Sequence, residues 1–396
     1  MDHDFYLDIL QTIRVKIQDD PLARCDTQAI ANILLDPESA LQVADEKLHV
    51  FPYKDVDICW RRLYTDSGIS KAIQLILAND KPSDWLDKVI KQLDMILIMT
   101  GAPLRQEMVE SIFNQLQIGT GEQELDWSNS FSEVSLRIPQ LTFPIPASPM
   151  TFTQFQRHLQ APKPHVIKDA IQDWPALTNH PWKCPNYLKN KTFNGRRLVP
   201  VELGRSYIDD DWNQTIIPFS EFLDRYVSRS DIGLAYLAQH DLFAQIPSLR
   251  NDIYIPDLCY SSPPVTNGKP VVQLEEPLLN AWFGPAGTIS PLHTDPYHNI
   301  LCQVVGKKYV RLYSPDQTSS LYPRDIEDGI DMSNTSRIPL ELIEMSMGAD
   351  DDFPLFDEAQ YIETILYEGD SLYIPAGWWH YVRSLSISFS VSFWWN

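Results

Sequence analysis

The sequence predicts an α+β protein in which an all-helical N-terminal part precedes a β-rich C-terminal part. Apolar residues in the first 120 positions recur three and four apart, as they do on one face of a helix. A polar and proline-rich stretch follows. From about residue 150, short segments rich in β-branched and aromatic residues dominate. At 396 residues the chain is long enough for two or three domains.

The N-terminal part, residues 1–120, is predicted to consist of helical hairpins. Helical spacing is clear in DFYLDILQTIRVKI, IANILLD, ISKAIQLILAN and WLDKVIKQLDMILIMTG. Pro103 is compatible with the first turn of a further helix, LRQEMVESIFNQLQ, which is predicted to end before Gly119 and Gly121. Short polar turns favour stacked hairpins, and no repeat of fixed period is evident.

Residues 121–148 are predicted to link the two parts. GTGEQELDWSNSFSEV is polar, and IPQLTFPIPASPM carries several prolines in quick succession. Proline lacks a backbone N–H, and its ring clashes with the preceding helical turn. This stretch is therefore expected to be extended, either as a linker or as an edge strand.

The C-terminal part, residues 149–396, is predicted to be an antiparallel β-sandwich or barrel. TFTQFQRHLQ and IPFSEFLDRYV are predicted helices, whereas the strand candidates are LLNAWFG, NILCQVV, KKYVRLY, ETILYE, DSLYI and LSISFSVSFWW. VVGKKYV, with Gly306, and YEGDSLYIP, with Gly369, are predicted hairpins. Many short strands without intervening helices argue against a parallel α/β sheet.

The composition argues against several classes of protein. A net charge of −21 is unsuitable for a general nucleic-acid binder and suits cationic peptide partners. Five cysteines without a CxxC pair favour a reducing compartment over a disulfide framework. MDHDFYLDIL lacks the features of a signal peptide, and the apolar patch MILIMTGAP is too short to span a bilayer. We therefore expect a soluble protein of the nucleus, the cytoplasm or both.

The stretch PLHTDPYHN contains a candidate metal-binding pair. Residues two apart in a strand point to the same face, so His293 and Asp295 can reach one ion, and the proline after Asp295 keeps the backbone extended. The best third ligand is His380 in IPAGWWHYV. Two histidines and one carboxylate are typical of non-haem Fe(II) oxygenases, although zinc can take the same ligands. His298 would turn to the opposite face and is predicted not to be a ligand.

An isolated HxD motif also occurs where a loop histidine simply bonds to a turn aspartate. The order of elements favours the metal site: a strand, HxD, another strand, a glycine turn, a strand with lysine, and a late GD…IPxGWxH. With that order, residues 150–396 resemble a JmjC-type 2-oxoglutarate oxygenase, a branch of the cupin double-stranded β-helix or jelly roll. The resemblance is strongest to the bifunctional peptidase and arginyl-hydroxylase type, also called lysine demethylase eight.

Five stretches carry this resemblance: YLAQHDLFAQIP, NAWFGPAGTISPLHTDP, KKYVRLYSP, NTS and WWHYVRSLSISFSVSFWWN. The helical part shares only shorter patches, chiefly WRRLYTD. The resemblance therefore covers the catalytic part strongly and the N-terminal part loosely.

The co-substrate 2-oxoglutarate brings a carboxylate into an apolar barrel, where it needs a cationic partner. The resemblance implies that Lys308, rather than its neighbour Lys307, is that partner. It also implies that Tyr236, Ser290 and Asn299 are hydrogen-bonding neighbours of the co-substrate. Without the resemblance, these three would be interpreted as ordinary core or turn residues.

The resemblance further places four residues near a substrate pocket, namely Glu202, Tyr207, Trp282 and Trp394. A carboxylate and aromatic faces suit a positively charged arginine side chain. The alternative is that the tryptophans fill the core and that Glu202 lies at the surface.

Together these observations lead to the hypothesis of an Fe(II)- and 2-oxoglutarate-dependent dioxygenase that uses O₂ to hydroxylate arginine residues of proteins. One alternative is a histone methyl-lysine demethylase. Others are a histone-tail endopeptidase at the same metal site and a catalytically silent cupin scaffold. The expected partner is a basic, arginine-containing protein or peptide, with histones among the candidates, rather than nucleic acid or membrane. The N-terminal helices are expected to bind a protein partner, and the long segment 316–360 is expected to serve as a lid or a peptide-contacting edge.

Overall fold

The computed structural model describes residues 2–14, 18–52, 55–121, 125–204, 212–229, 233–264, 271–327, 329–341 and 352–396. Within these ranges the predicted α+β class is confirmed: helices come first, and a two-sheet jelly roll follows. None of the helices in these ranges is both long enough and apolar enough to cross a membrane.

The N-terminal helices are α1 (His3–Arg14), α2 (Thr27–Leu35), α3 (Pro37–Val50), α4 (Ile58–Leu77), α5 (Trp85–Thr100) and α6 (Gln106–Thr120). Apolar spacing predicts α1, α2, α5 and most of α6, but it does not predict α3 or the first half of α4. The reason in α4 is that Arg62 and Asp66 are themselves buried and interrupt the apolar pattern. The prediction that the last helix ends before Gly119 is wrong by two residues, since α6 continues through Gly119 to Thr120.

The helix ends are fixed by local chemistry. The carboxylates of Asp26, Asp36 and Asp57 each accept a hydrogen bond from a backbone N–H in the first turn of α2, α3 and α4. Gly101 and Gly121 follow α5 and α6 with φ of 70° and 58°, in the left-handed region that favours glycine. Each of these five residues therefore stops or starts a helix for a reason that is visible in the sequence.

The strands of the C-terminal part are β1 (Ala147–Ser148), β2 (His165–Ile167), β3 (Leu198–Leu203), β4 (Asn213–Pro218), β5 (Ala235–His240), β6 (Leu278–Gly284), β7 (Ile289–Thr294), β8 (His298–Val305), β9 (Lys307–Tyr313), β10 (Ile326–Glu327), β11 (Ile330–Asp331), β12 (Tyr361–Tyr367), β13 (Ser371–Ile374), β14 (Trp379–Ser384) and β15 (Ser388–Trp395). The helical segments between them are α7 (Phe152–His158), α8 (Pro185–Asn190), α9 (Phe219–Glu221), the π-helix Phe222–Val227, α10 (Leu242–Gln245) and α11 (Pro247–Arg250).

Two sheets face each other across the core of this part. The larger sheet has the strand order β1-β2-β13-β8-β15-β6-β5-β3-β4, and the smaller has the order β12-β9-β14-β7. Apolar side chains from both sheets, including Leu301, Leu372, Val310 and Val382, pack in one buried cluster. Strands β10 and β11 form a separate two-stranded ribbon.

The two predicted hairpins are wrong. VVGKKYV joins β8 to β9, and YEGDSLYIP joins β12 to β13, yet in both cases the two strands lie in different sheets. In a jelly roll, consecutive strands cross the core and face each other, and the turn chemistry that permits this is the same as in a hairpin. Gly306 makes one crossing with φ of 73°, and an added Cβ would lie 1.9 Å from the carbonyl oxygen of Ile387.

The predicted helix IPFSEFLDRYV begins later than expected. Ile217 and Pro218 end strand β4, and the helical segments start at Phe219. Proline disfavours the helical conformation of the residue before it, so Ile217 stays extended. The other predicted helix, TFTQFQRHLQ, is confirmed as α7, with Thr151 and Gln154 forming a capping box at its start.

The proline-rich stretch runs extended along the C-terminal part. The backbone N–H of Phe131 donates to the Lys183 carbonyl, and that of Ile145 donates to the Glu363 carbonyl. The buried Glu363 side chain also accepts from the backbone N–H of Thr142 at 2.5 Å. The predicted domain limits at 120 and 148 stay a prediction, although the absence of helix that the prolines require is observed in the described part of this stretch.

Candidate metal centre and co-substrate pocket

Three predicted ligands meet at one end of the smaller sheet. His293 is the second-last residue of β7, Asp295 follows the end of that strand, and His380 pairs with His293 from the neighbouring strand β14. The Asp295 carboxylate oxygens lie 3.8 Å from His293 Nε2 and 3.4 Å from His380 Nε2. One ligand atom from each residue lies within 4.8 Å of the others. This donor set fits a two-histidine, one-carboxylate iron site.

Backbone carbonyls fix the orientation of both imidazoles. His293 Nδ1 lies 2.7 Å from the Pro291 carbonyl oxygen, and His380 Nδ1 lies 3.0 Å from the Trp378 carbonyl oxygen. Each Nδ1 donates to its carbonyl oxygen, which leaves Nε2 as the ring nitrogen that faces Asp295 and would meet a metal ion. The two carbonyl oxygens thus hold the rings in the orientation that metal ligands require.

The pKa shifts of His293 and Asp295 also suit a cation, whereas at His380 the opposing effect of burial is outweighed by the hydrogen bond and charge of Asp295, which raise its pKa. Burial, together with the neighbouring His380, lowers the pKa of His293 to about 4, so this imidazole is neutral at physiological pH. Burial alone would raise the pKa of Asp295, but the hydrogen bond and the charge of His380 hold it below its usual value. A neutral imidazole and an ionised carboxylate are the forms that bind a metal.

A pocket opens beside the triad, between the two sheets. It is lined by the triad and by Tyr236, Trp282, Ser290, Asn299, Leu301, Lys308, Ile374 and Val382. Lys308 is 1% exposed, and its Nζ donates to the Tyr236 hydroxyl at 3.1 Å. No carboxylate among the described residues pairs with it. A buried ammonium without a counter-ion is suited to receiving the carboxylate of a ligand.

Asn299 and Ser290 lie in the same pocket. The Asn299 Oδ1 atom is buried and has no hydrogen-bond partner among the described residues. Ser290 shares a hydrogen bond with the Tyr236 hydroxyl, an interaction that acts on the pKa of the phenol against the larger effect of burial. The structure thus brings together all four residues that the resemblance implies for 2-oxoglutarate.

Glu202 lies next to this group, at the far end of β3. It is the cross-strand partner of Tyr236, and it is only partly exposed. Burial raises the pKa of its carboxyl, while a contact from the Trp212 indole acts in the opposite direction. Glu202 is therefore half-buried rather than fully exposed, and it lies beside the pocket without being part of its lining.

The structure places the other predicted substrate residues differently. Trp282 lines the pocket and donates from Nε1 to the Ser392 hydroxyl at 2.9 Å. Trp394 pairs with Asn299 across β15 and β8, and its ring lies beside Tyr297, so it borders the pocket without lining it. Tyr207 lies outside the described residues, as does most of the acidic run near residue 350.

His298 is separate from the metal site. It is buried on the other side of β8, where its Nδ1 lies 2.8 Å from the Tyr373 hydroxyl. Burial lowers its pKa to about 4, which keeps this core imidazole uncharged. The prediction that His298 lies away from the ligands agrees with this position, but the reason given for it is wrong. The chain leaves β7 at Thr294 and begins β8 at His298 in the other sheet, so no continuous strand joins the two histidines.

Sequence reasoning missed Trp212 and the apolar wall of the pocket. Leu301, Ile374 and Val382 face the triad from three different strands, and each looks like an ordinary core residue in the sequence. Trp212 follows three aspartates just before β4, and an aromatic residue in so polar a stretch is the feature of the sequence that could have indicated a functional role.

Comparison with known families agrees with this geometry. The family described as "Cupin-like domain" matches residues 151–396, which hold the triad and the pocket. The family described as "KDM8-like, N-terminal ARM repeats" matches residues 17–126. This second match adds a repeat architecture that the spacing of the sequence does not reveal.

Known relatives align over nearly the whole chain. "Lysine-specific demethylase 8" of Danio rerio is 36% identical over 95% of this chain and 91% of its own length. "Lysine-specific demethylase JMJ30" of Arabidopsis thaliana is 36% identical over 94% of this chain and 89% of its own. "Bifunctional peptidase and (3S)-lysyl hydroxylase JMJD7" of Homo sapiens is more distant, at 25% identity over 66% of this chain and 85% of its own.

Proposed function

This chain belongs to the JmjC-type, cupin-like family of oxygenases that use Fe(II), 2-oxoglutarate and O₂, and we propose that it oxidises a cationic side chain of a protein. The observation that carries the proposal is the placement of the half-buried Glu202 beside Tyr236, next to the pocket that holds the triad and Lys308. A carboxylate there selects a positively charged substrate group, and the net charge of −21 favours a basic protein around it.

We assign the iron to His293, Asp295 and His380, and the distal carboxylate of 2-oxoglutarate to Lys308. When bound, the iron with its two co-substrates supplies an oxidant able to break an unactivated C–H bond. The chain's own residues hold the reactants in place. Lys308 and Tyr236 orient the co-substrate, the Asn299 amide N–H group can donate to one of its oxygens, and the apolar wall excludes water.

Demethylation of N-methyl-lysine is our first candidate reaction. Hydroxylation of an N-methyl carbon gives an unstable hemiaminal, which releases formaldehyde and leaves the amine. Support comes from the names of relatives that align over most of this chain, several of which are called lysine-specific demethylases. Glu202 would then hold the substrate ammonium, with Trp282 offering a ring face to the methyl groups.

Hydroxylation of arginine is a second candidate, and Glu202 is the observation that favours it. A carboxylate can accept two parallel hydrogen bonds from a guanidinium group, a geometry that a methylated ammonium cannot match. The two reactions therefore differ in how strongly they depend on Glu202.

A direct test presents matched peptides that carry arginine, lysine or methyl-lysine at one position and reads the products by mass spectrometry. Loss of a methylene unit with release of formaldehyde supports demethylation, whereas gain of one oxygen on arginine supports hydroxylation. Glu202→Gln should abolish arginine oxidation and only weaken demethylation. If 2-oxoglutarate is consumed and no cationic peptide is modified, the proposed substrate class is wrong. Cleavage that persists without 2-oxoglutarate would identify a peptidase.

We further propose that the protein acts in the nucleus or the cytoplasm and that histones are among its substrates. The N-terminal helices are proposed to contact a protein partner, since ARM-type repeats present extended surfaces. Fluorescent tagging and a histone peptide array would test these two proposals separately.

A further inference from the structure

A buried carboxylate joins the N-terminal helices to the jelly roll. Asp94 of α5 is 0% exposed. Arg197 Nε donates to it at 2.8 Å, the backbone N–H of Leu198 at 2.7 Å and Gln245 Nε2 at 2.8 Å. These three donors all belong to the C-terminal part. Asp94 is a side chain of the N-terminal helices (here called the helical layer, α1 to α6), so these bonds connect the helical layer to the jelly roll.

The donors stand at the ends of two neighbouring strands. Leu198 is the first residue of β3, and Gln245 ends the short helix α10 that follows β5. Gln245 also donates to the Leu198 carbonyl at 2.8 Å, and its Oε1 lies 2.6 Å from His240 Nε2 at the end of β5. One carboxylate thus fixes the start of β3 directly and the end of β5 through Gln245.

Strand β5 needs this support because it is irregular at that end. Its pairing with β6 shifts register between Leu237 and His240, and Gln239 between them has φ of 48°. A left-handed conformation in a non-glycine residue is strained and persists only where its surroundings hold it. The contact of His240 with Gln245 stabilises the chain next to this strained residue.

The other ends of β3 and β5 carry the proposed pocket. Glu202 lies four residues along β3 from Leu198, roughly 13 Å away at the ordinary rise of a strand. It pairs there with Tyr236, the hydrogen-bond partner of Lys308. A shift at the Asp94 end of this strand pair would therefore displace two groups together: Glu202, which is proposed to bind the substrate, and Tyr236, which contacts the co-substrate lysine.

We infer that Asp94 is a positioning residue for the reaction: the helical layer, through Asp94, Arg197 and Gln245, holds β3 and β5 so that Glu202 and Tyr236 stay in register with the triad. This inference rests on the proposed function for the role of Glu202. It gives the N-terminal helices a task in catalysis in addition to any partner they bind.

The test compares Asp94→Asn with Asp66→Asn in the full-length protein. Asp66 is a matched control, since it is equally buried and is bonded to Arg62 and Arg105, both within the helical layer. We expect both variants to lose thermal stability. Only Asp94→Asn should lower kcat/KM for the peptide about ten-fold and raise the ratio of succinate formed to peptide oxidised. The reason is that a displaced peptide is oxidised less often for each 2-oxoglutarate that is consumed.

A second measurement needs no substrate. Hydrogen–deuterium exchange of residues 198–203 and 235–240 should accelerate in Asp94→Asn and stay unchanged in Asp66→Asn. If Asp94→Asn does not fold, Gln245→Met is the substitute variant. It keeps the ion pair between Asp94 and Arg197 and removes the side-chain bonds of Gln245 to Asp94, Leu198 and His240, so it should show the same faster exchange and the same uncoupling of succinate formation from peptide oxidation. The inference would be overturned if all variants showed equal hydrogen exchange in these two strands and an equal ratio of succinate formed to peptide oxidised. A wild type that oxidises no peptide would refute the proposed function, and the exchange data would still decide the role of Asp94.

Discussion

Replacing the buried lysine of the pocket should have two opposite effects. In Lys308→Met we expect weaker binding of 2-oxoglutarate and a more stable ligand-free fold. Burial lowers the pKa of Lys308 from 10.5 to about 7 in the absence of a ligand. This difference corresponds to roughly 5 kcal/mol against the charged form. Because the side chain is 1% exposed, solvent screens little of that cost.

The sign of the pH dependence follows from the lowered pKa. The unfolded chain binds a proton at Lys308 up to about pH 10, whereas the ligand-free folded chain releases it near pH 7. The destabilisation is therefore complete below about pH 7 and disappears as the pH rises towards 10. Urea unfolding should show Lys308→Met to be more stable than wild type at about pH 6.5, with the advantage shrinking at about pH 9.

Binding of the co-substrate should weaken over the same range. The 2-oxoglutarate carboxylate needs the ammonium form, so affinity should fall towards ten-fold for each pH unit above about 7. In Lys308→Met the affinity should be about 10- to 100-fold lower and independent of this titration, since a hydrogen bond to a charged group contributes about 1.5–3 kcal/mol. Calorimetry on anaerobic, metal-loaded protein measures the pH dependence of the wild-type affinity and the lower affinity of Lys308→Met. Lys307→Met is the control, because Lys307 is only half-buried.

Two results would refute this reasoning. One is a wild-type affinity for 2-oxoglutarate that stays constant between about pH 6.5 and 8.5. The other is a Lys308→Met protein that binds the co-substrate as tightly as wild type. Either would mean that another cation receives the distal carboxylate.

Two further variants test the metal site and the fold. His293→Ala is expected to abolish turnover of 2-oxoglutarate and to remove the stabilisation by added metal, which is about 2.7 kcal/mol at a hundred-fold excess over Kd. The control His298→Asn should keep the turnover and the stabilisation by metal. Surviving turnover in His293→Ala would disprove the triad assignment. Gly306→Ala should cost roughly 3 kcal/mol or more in urea unfolding, because its Cβ would meet the Ile387 carbonyl oxygen at 1.9 Å. Gly329 has a similar φ, and among the described residues beyond its chain neighbours no atom lies within 4 Å of an added Cβ, so Gly329→Ala should cost only about 1–2 kcal/mol. Equal losses in the two variants would contradict this account.

Local chemistry let the sequence by itself determine much of this protein. Apolar spacing, aspartate caps and glycine stops define most of the N-terminal helices, and the HxD spacing identifies His293 and Asp295 as a pair. These properties depend on residues within one turn or one strand, so a single sequence contains them. The metal triad was also accessible, because the late IPAGWWH stretch supplies the missing histidine.

Only the tertiary structure decided which strands pair and which side chains meet. VVGKKYV and YEGDSLYIP have the turn chemistry of hairpins, yet each crosses between sheets because burial of two apolar faces outweighs local pairing. The absence of a carboxylate partner for Lys308 among the described residues and the link from Asp94 to Leu198 are both decided by residues far apart in the chain. Buried polar groups must find partners wherever the fold brings them, and no spacing rule within the sequence specifies that position.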